Sequence, residues 1–158
     1  MNSNSIKSQL KQHHRDAFIW ARHCCNYNTE DAQEVVQIVY LKIMEGKAVY
    51  RGSAQFKTWL FSVIRYSALD YLKSKVAVRE TNVVDESMSY TSENEDIDYE
   101  KLLSHLSSRQ RQVLLLCFYH GMTLEDVAEV TGLHIGTVRT HYERGKQGLK
   151  KLILKEMA

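Results

Sequence analysis

Apolar residues recur at helical spacing through most of residues 8–75 and again through 121–144, whereas residues 76–100 carry no such period. The first helix is expected over about residues 8–26, turning Leu10, Ala17, Phe18, Ala21 and Cys25 inward. Thr29 is the expected N-cap of a second, because Glu30 and Asp31 follow in a first turn that favours negative charge. That helix continues to Met44 on an inner face of Val35, Val36, Val39 and Ile43, leaving Asp31, Glu34, Gln37, Leu41 and Glu45 along an outer stripe. A third helix runs from near Gln55 to about Lys75 and buries Trp59, Leu60, Val63, Ile64, Ala68, Leu69 and Leu72. The expected fold is all-α: two small helical domains, residues 1–75 and 101–158, joined by an acidic linker at 76–100.

The segment GMTLEDVAEVTGLHIGTVRTHYER, residues 121–144, has the spacing of a helix-turn-helix. Thr123 and Asp126 can open its first helix as a capping box. Val127, Ala128 and Val130 give that helix an apolar face, Thr131-Gly132 makes the turn, and Leu133 closes the corner. Ile135, Val138 and Tyr142 anchor the second helix. His134, Gly136, Thr137, Arg139, Thr140, Glu143 and Arg144 then fall on its other sides, a face suited to a DNA major groove, where arginine meets guanine edges or phosphates.

Charge sharpens this division. Residues 1–75 hold eleven Lys/Arg against six Asp/Glu, residues 76–100 one against eight, and residues 101–158 nine against five. Two basic modules thus flank an acidic strap with the composition of an exposed connector. The chain of 158 residues contains no proline, and its apolar runs are too short to span a bilayer. With no secretion signal at the N-terminus, a cytoplasmic protein without membrane insertion is expected. Cys24, Cys25 and Cys117 form neither a metal-ligand series nor an ordinary disulfide pair, and read as helix-face residues. His13, His14 and His23 lie near Asp16, yet no nucleophile–base–orienting set and no metal motif accompanies them, so neither an enzyme nor a bound metal or cofactor is expected.

In the first module, aromatic and basic residues interleave: Tyr50, Arg51, Phe56, Lys57, Phe61, Arg65, Tyr66, Lys73 and Lys75. Separated DNA strands want this mixture, cations for phosphates and rings for unstacked bases. The loop AVYRGSAQ can admit a flipped base where a helix surface cannot, which makes Tyr50, Arg51 and Gly52-Ser53-Ala54 the candidates for base contact.

These segments together resemble a bacterial RNA polymerase sigma factor of the extracytoplasmic-function group, the smallest members of the sigma-70 family. DAQEVVQIVYLKI at 31–43 is similar to the family's polymerase-binding helix. YRGSAQFKTWLFSVIRYSALDYLKSK at 50–75 is similar to its promoter-melting and minus-ten segment, and LSSRQRQVLLLCFYHGMTLEDVAEVTGLHIGTVRTHYERGKQGLKKL at 106–152 to its minus-thirty-five domain. The resemblance implies that Asp31, Glu34, Gln37 and Leu41 contact the clamp helices of the largest catalytic-side subunit of core RNA polymerase, with the polymerase flap a further partner. It implies that Tyr50, Arg51, Gly52 and Ser53 capture an unstacked non-template base, and that Lys57, Arg65, Tyr66 and Lys73 lie along minus-ten DNA, with Phe56, Trp59, Leu60 and Asp70 shaping that surface. Arg109, Arg111, His134, Thr137, Arg139, Thr140, Arg144 and Lys146 are the implied minus-thirty-five contacts. Promoter DNA is the implied ligand, and an anti-sigma protein is among the partners the family allows.

Departures from the family pattern touch specificity. Tyr66 stands where Asn is usual, Ile38 where Glu is common, His134 at the usual Ser N-cap and Ser107 at the customary Pro. An independent helix-turn-helix regulator on duplex operators would explain residues 121–146 but leave the chemistry of Tyr50 to Lys75 unused. A helical adaptor that binds only protein would use neither basic face.

Overall fold

The structure is a computed structural model that describes residues 2–79 and 101–157, in two compact helical units. The first unit holds α1 (Ser3–Cys24), α2 (Thr29–Met44) and α3 (Phe56–Arg79), and every pair of these helices packs together. Helix α1 begins earlier than its apolar period, because the Asn2 side chain accepts the Ser5 N–H at 2.8 Å and starts the backbone ladder. It ends at Cys24 because Asn26 and Tyr27 take left-handed φ values of 54° and 64°, while the Tyr27 N–H returns to the Arg22 carbonyl at 2.7 Å. The cap of α2 is Asn28 and not Thr29: its side chain accepts the Asp31 N–H at 3.0 Å. Helix α3 passes Lys75 by a further turn, into the span expected as linker, and residues 80–100, the rest of that expected linker, lie outside the described residues.

Trp20 centres the first core. Fully buried, it donates its indole N–H to the Phe61 carbonyl at 3.0 Å and stacks on the Phe61 ring at 5.6 Å, with the planes 2° apart. Val35, Val39, Leu60, Ile64, Ala17 and Ala21 are buried in the same unit. Trp20 and Phe61 were not assigned to the core from the helical period. Leu69, expected inside, is exposed.

The second unit contains a helical stretch at 101–103, α4 (Ser108–Leu114), α5 (Leu124–Thr131) and α6 (Ile135–Met157). Ser107 caps α4 by accepting the Gln110 N–H at 3.2 Å, so the residue standing at the family's customary proline serves as an N-cap. Helix α4 continues as a π-helical turn over Leu115–Tyr119, where the His120 N–H reaches back five residues to the Leu115 carbonyl at 3.2 Å. Leu103, Val113, Leu114, Leu116, Val127, Val130 and Val138 form the core. Gly145 lies inside α6, where glycine is unfavourable by about 1 kcal/mol relative to alanine. A Cβ there would stand 3.1 Å from Leu114 Cδ1, so the missing side chain lets α4 and α6 approach.

Candidate nucleic-acid interface

The helix-turn-helix forms as its residues require. The Thr123 hydroxyl accepts the Asp126 N–H at 3.1 Å and the Asp126 carboxylate accepts the Thr123 N–H at 3.2 Å, completing the capping box of α5. Gly132 ends α5 at φ 71°, a left-handed conformation that a side chain would strain. The Thr131 hydroxyl donates to the Val127 carbonyl at 2.7 Å and accepts the Leu133 N–H at 3.3 Å, fixing the turn from inside. Buried Val138, with half-buried Ile135 and Tyr142, seats α6.

That anchoring leaves His134, Gly136, Thr137, Arg139, Thr140, Glu143 and Arg144 exposed. The Thr140 hydroxyl donates to the Gly136 carbonyl at 3.0 Å, which leaves its oxygen as an acceptor. Lys146 is held over the Tyr142 ring at 4.6 Å and faces Glu143 at 3.9 Å, and Phe118 stacks on the other partner of this group, Tyr142, at 5.9 Å. Arg109 is exposed in the first turn of α4, whereas Arg111 is half-buried against the unit.

In the first unit, Arg51, Gly52 and Ser53 are exposed, with Gly52 at φ 80°. Half-buried Tyr50 donates its hydroxyl to the Ala54 carbonyl and packs its ring on Phe56 and Trp59 at 5.3 and 5.4 Å. Tyr50 thus braces the loop, while Arg51 to Ser53 present it. His13 of α1 stacks on Phe56 at 6.0 Å, and burial, then the Lys57 ammonium, holds its imidazole below the ordinary histidine pKa against the opposing pull of Asp16.

Three assignments change. Asp31 is not on an outer stripe: it is 6% exposed, accepts Lys75 Nζ at 2.7 and 2.9 Å, and accepts the Tyr71 hydroxyl at 3.1 Å. The C-terminal turns of α3 cover the first turn of α2, so helical spacing within α2 could not reveal it. Lys57 does not project freely; it pairs with Asp16 at 3.3 Å and lies 5.6 Å from the Phe61 ring centre. Phe61, grouped with the strand-facing aromatics, is core. Glu34, Gln37, Leu41, Tyr66 and Lys73 are exposed as expected, and Arg65 is half-buried.

The thiols are chemically quiet. Burial, then the neighbouring Asp31 charge, pushes Cys25 up to about 12, and burial raises Cys117 to about 11 and Cys24 well above its ordinary value. Thiols held protonated are poor nucleophiles and poor metal ligands. No cluster among the described residues could hold a metal ion, and none of their helices is long and apolar enough to cross a membrane.

A helical unit whose basic and aromatic residues lie along α3 and the loop before it, followed by a second unit built on a helix-turn-helix, is the arrangement of a two-module DNA-binding protein of transcription. Residues 10–77 match the family model for Sigma-70 region 2 and residues 97–149 that for Sigma-70, region 4, and the chain belongs to the sigma-70 family as an extracytoplasmic-function RNA polymerase sigma factor. It is 26% identical over 134 residues to the RNA polymerase sigma factor SigV of Bacillus subtilis, covering 82% of this chain and 80% of that one. It is 22% identical to the sigma factor YlaC of the same organism, over 96% of this chain and 94% of that one. The fold matches the sigma factor RpoE of Bartonella quintana, solved in complex with the anti-sigma factor NepR, with a TM-score of 0.77 at 22% identity over 94% and 96% of the two chains. A sigma factor binds core RNA polymerase and directs it to promoters without chemistry of its own.

Proposed function

We propose that the labour divides as residues 1–75 for polymerase docking and minus-ten opening, 76–100 for linkage, and 101–158 for minus-thirty-five recognition. Helix α2 offers Glu34, Gln37 and 59%-exposed Leu41 to the clamp helices of the largest catalytic-side subunit, and the second unit reaches the flap. Asp31 serves this interface from beneath, by tying the first turn of α2 to α3. Arg51, Gly52 and Ser53, braced by Tyr50, receive an unstacked base of the non-template strand, with Lys57, Arg65 and Lys73 near its phosphates. Unstacking costs a few kcal/mol, offset by these contacts.

Helix α6 enters the major groove of the minus-thirty-five duplex, with Thr137, Arg139, Thr140 and Arg144 as readers and clamps and His134, Arg109, Arg111 and Lys146 at the edge. The observation that carries this reading is the seating of α6: Val138 is buried while Thr137, Arg139, Thr140, Glu143 and Arg144 are exposed, with His134 exposed just before the helix. An anti-sigma protein is proposed as a further partner, supported by the complex of RpoE with the anti-sigma factor NepR.

The test is capture of core RNA polymerase by the purified chain, followed by mapping of transcription starts that the mixture makes on genomic DNA. Chain-dependent starts preceded by shared sequence elements are expected. Duplex binding with no capture of active cognate core would overturn this division in favour of an independent regulator.

A further inference from the structure

Residues 50–75 contain six aromatic side chains, and the fold takes up five of them. Phe61 stacks on Trp20, Tyr50, Phe56 and Trp59 pack on one another, and the Tyr71 hydroxyl holds Asp31. Tyr66 is the exception, with 64% of its surface exposed. Helical spacing puts Leu69, Asp70 and Lys73 on the same side of α3, three, four and seven residues on, and all three are exposed.

We propose that Tyr66 is a stacking platform for one unpaired base of the opened strand, so that this register is read by the presence of a base and not by its hydrogen-bonding edge. The inference rests on the proposed course of the strand along α3. Every base has a π-face, so an aromatic platform tolerates all four, whereas an amide such as the family's usual Asn offers donors and an acceptor that select an edge. Neighbouring charge agrees with this geometry. The Asp70 carboxylate, one turn away, repels a phosphate, so the uncharged base approaches Tyr66 while Lys73, two turns away, attracts the backbone. Exposed Leu69 adds apolar surface beside the ring.

The experiment uses holoenzyme assembled from the full chain and core polymerase, on a fluorescent fork probe whose single-stranded non-template segment carries a promoter found by start mapping. A single abasic site is moved through that segment, and the sensitive registers are then tested with all four bases. Wild type should show a register where removing the base weakens retention about 5- to 150-fold, the range for one base–aromatic stack, while the four bases differ there by less than about threefold. Tyr66→Ala should weaken the intact probe by the same factor and remove the abasic effect at that register alone. Tyr66→Phe should behave as wild type, with polymerase capture and helicity unchanged in both variants. An abasic profile that Tyr66→Ala leaves intact would overturn the proposal. So would a base preference that Tyr66→Phe abolishes, since that is edge readout through the hydroxyl. A wild-type profile flat at every register, with Lys73→Ala also silent, would remove the strand from α3 and the inference with it.

Discussion

Replacing Asp31 by Asn separates a structural role from an interface role at one atom's cost in shape. Asp31 is buried, and its two oxygens accept Lys75 Nζ at 2.7 and 2.9 Å, with the Tyr71 hydroxyl at 3.1 Å. Removing one partner of a fully buried pair costs about 3–5 kcal/mol. Here the Lys75 side chain retains 28% of its exposure and can turn to water, and the Asn carbonyl still accepts from Tyr71, so a loss of about 2 kcal/mol is expected. In a unit of this size that lowers the melting temperature by roughly 10 °C. Trp20 and Trp59 are the two tryptophans of the chain and both lie in the first unit, so tryptophan fluorescence follows its unfolding directly. A double-mutant cycle with Lys75→Met should return a coupling of about 1–2 kcal/mol. A melting temperature within 2 °C of wild type, or strictly additive losses, would refute the ion pair as a tie between α2 and α3. At temperatures where both proteins are folded, Asp31→Asn should capture core polymerase normally while Glu34→Lys does not. Lost capture by a fully folded Asp31→Asn protein would return Asp31 to the interface.

Arg139→Ala and Arg144→Ala should each weaken minus-thirty-five duplex binding by about 1–3 kcal/mol if they meet base edges, whereas a phosphate contact would mainly lower the salt slope by about one; titration at several salt concentrations separates the two, and unchanged binding by both variants would point to another face. Gly145→Ala gains about 1 kcal/mol of helix propensity but drives a Cβ to 3.1 Å from Leu114, so the second unit should lose about 1 kcal/mol net by circular dichroism. A stabilised variant would mean that Leu114 yields without cost. Because His13 titrates below 6.5 in the fold, the unfolded chain takes up its proton first, and this contribution to stability is complete above pH 6.5 and lost as pH falls below it. His13→Gln should flatten the acid-side fall in melting temperature of the first unit, and an unchanged pH profile would count against its burial beside Phe56 and Lys57.

What the sequence made legible were features decided within one helix or one turn. The inner face of α2, the capping box of Thr123 and Asp126 and the left-handed Gly132 all follow from local spacing and local conformational cost. Pairings between distant residues were not legible. Asp31 meets Lys75 across 44 positions and Asp16 meets Lys57 across 41, and no period within either helix encodes which helix will cover it. The same blindness misplaced Phe61, whose neighbours on α3 look mixed until Trp20 arrives from α1. The N-cap of α2 fell to Asn28 by one residue, because Asn and Thr are both competent caps and the preceding left-handed turn decides where the helix can begin.

These long-range pairings also separate the two units electrostatically. On α6, Arg139 and Arg144 are exposed, so duplex binding there can draw on charge neutralisation with little internal competition. Along α3 most of the cations whose side chains are described are tied down: Lys57 faces Asp16, Lys75 faces Asp31, and Arg65 is half-buried, which among the described side chains of α3 and the preceding loop leaves Lys73 and Arg51 as exposed positive groups. A phosphate approaching Lys57 must displace a carboxylate already within 3.3 Å, so its net gain is smaller than that from an exposed lysine. On the proposed reading, the first unit therefore holds its strand more by shape and stacking than by charge, and the second by charge and groove fit. That division suits the ligands, since an opened strand offers base faces that a duplex keeps stacked inside.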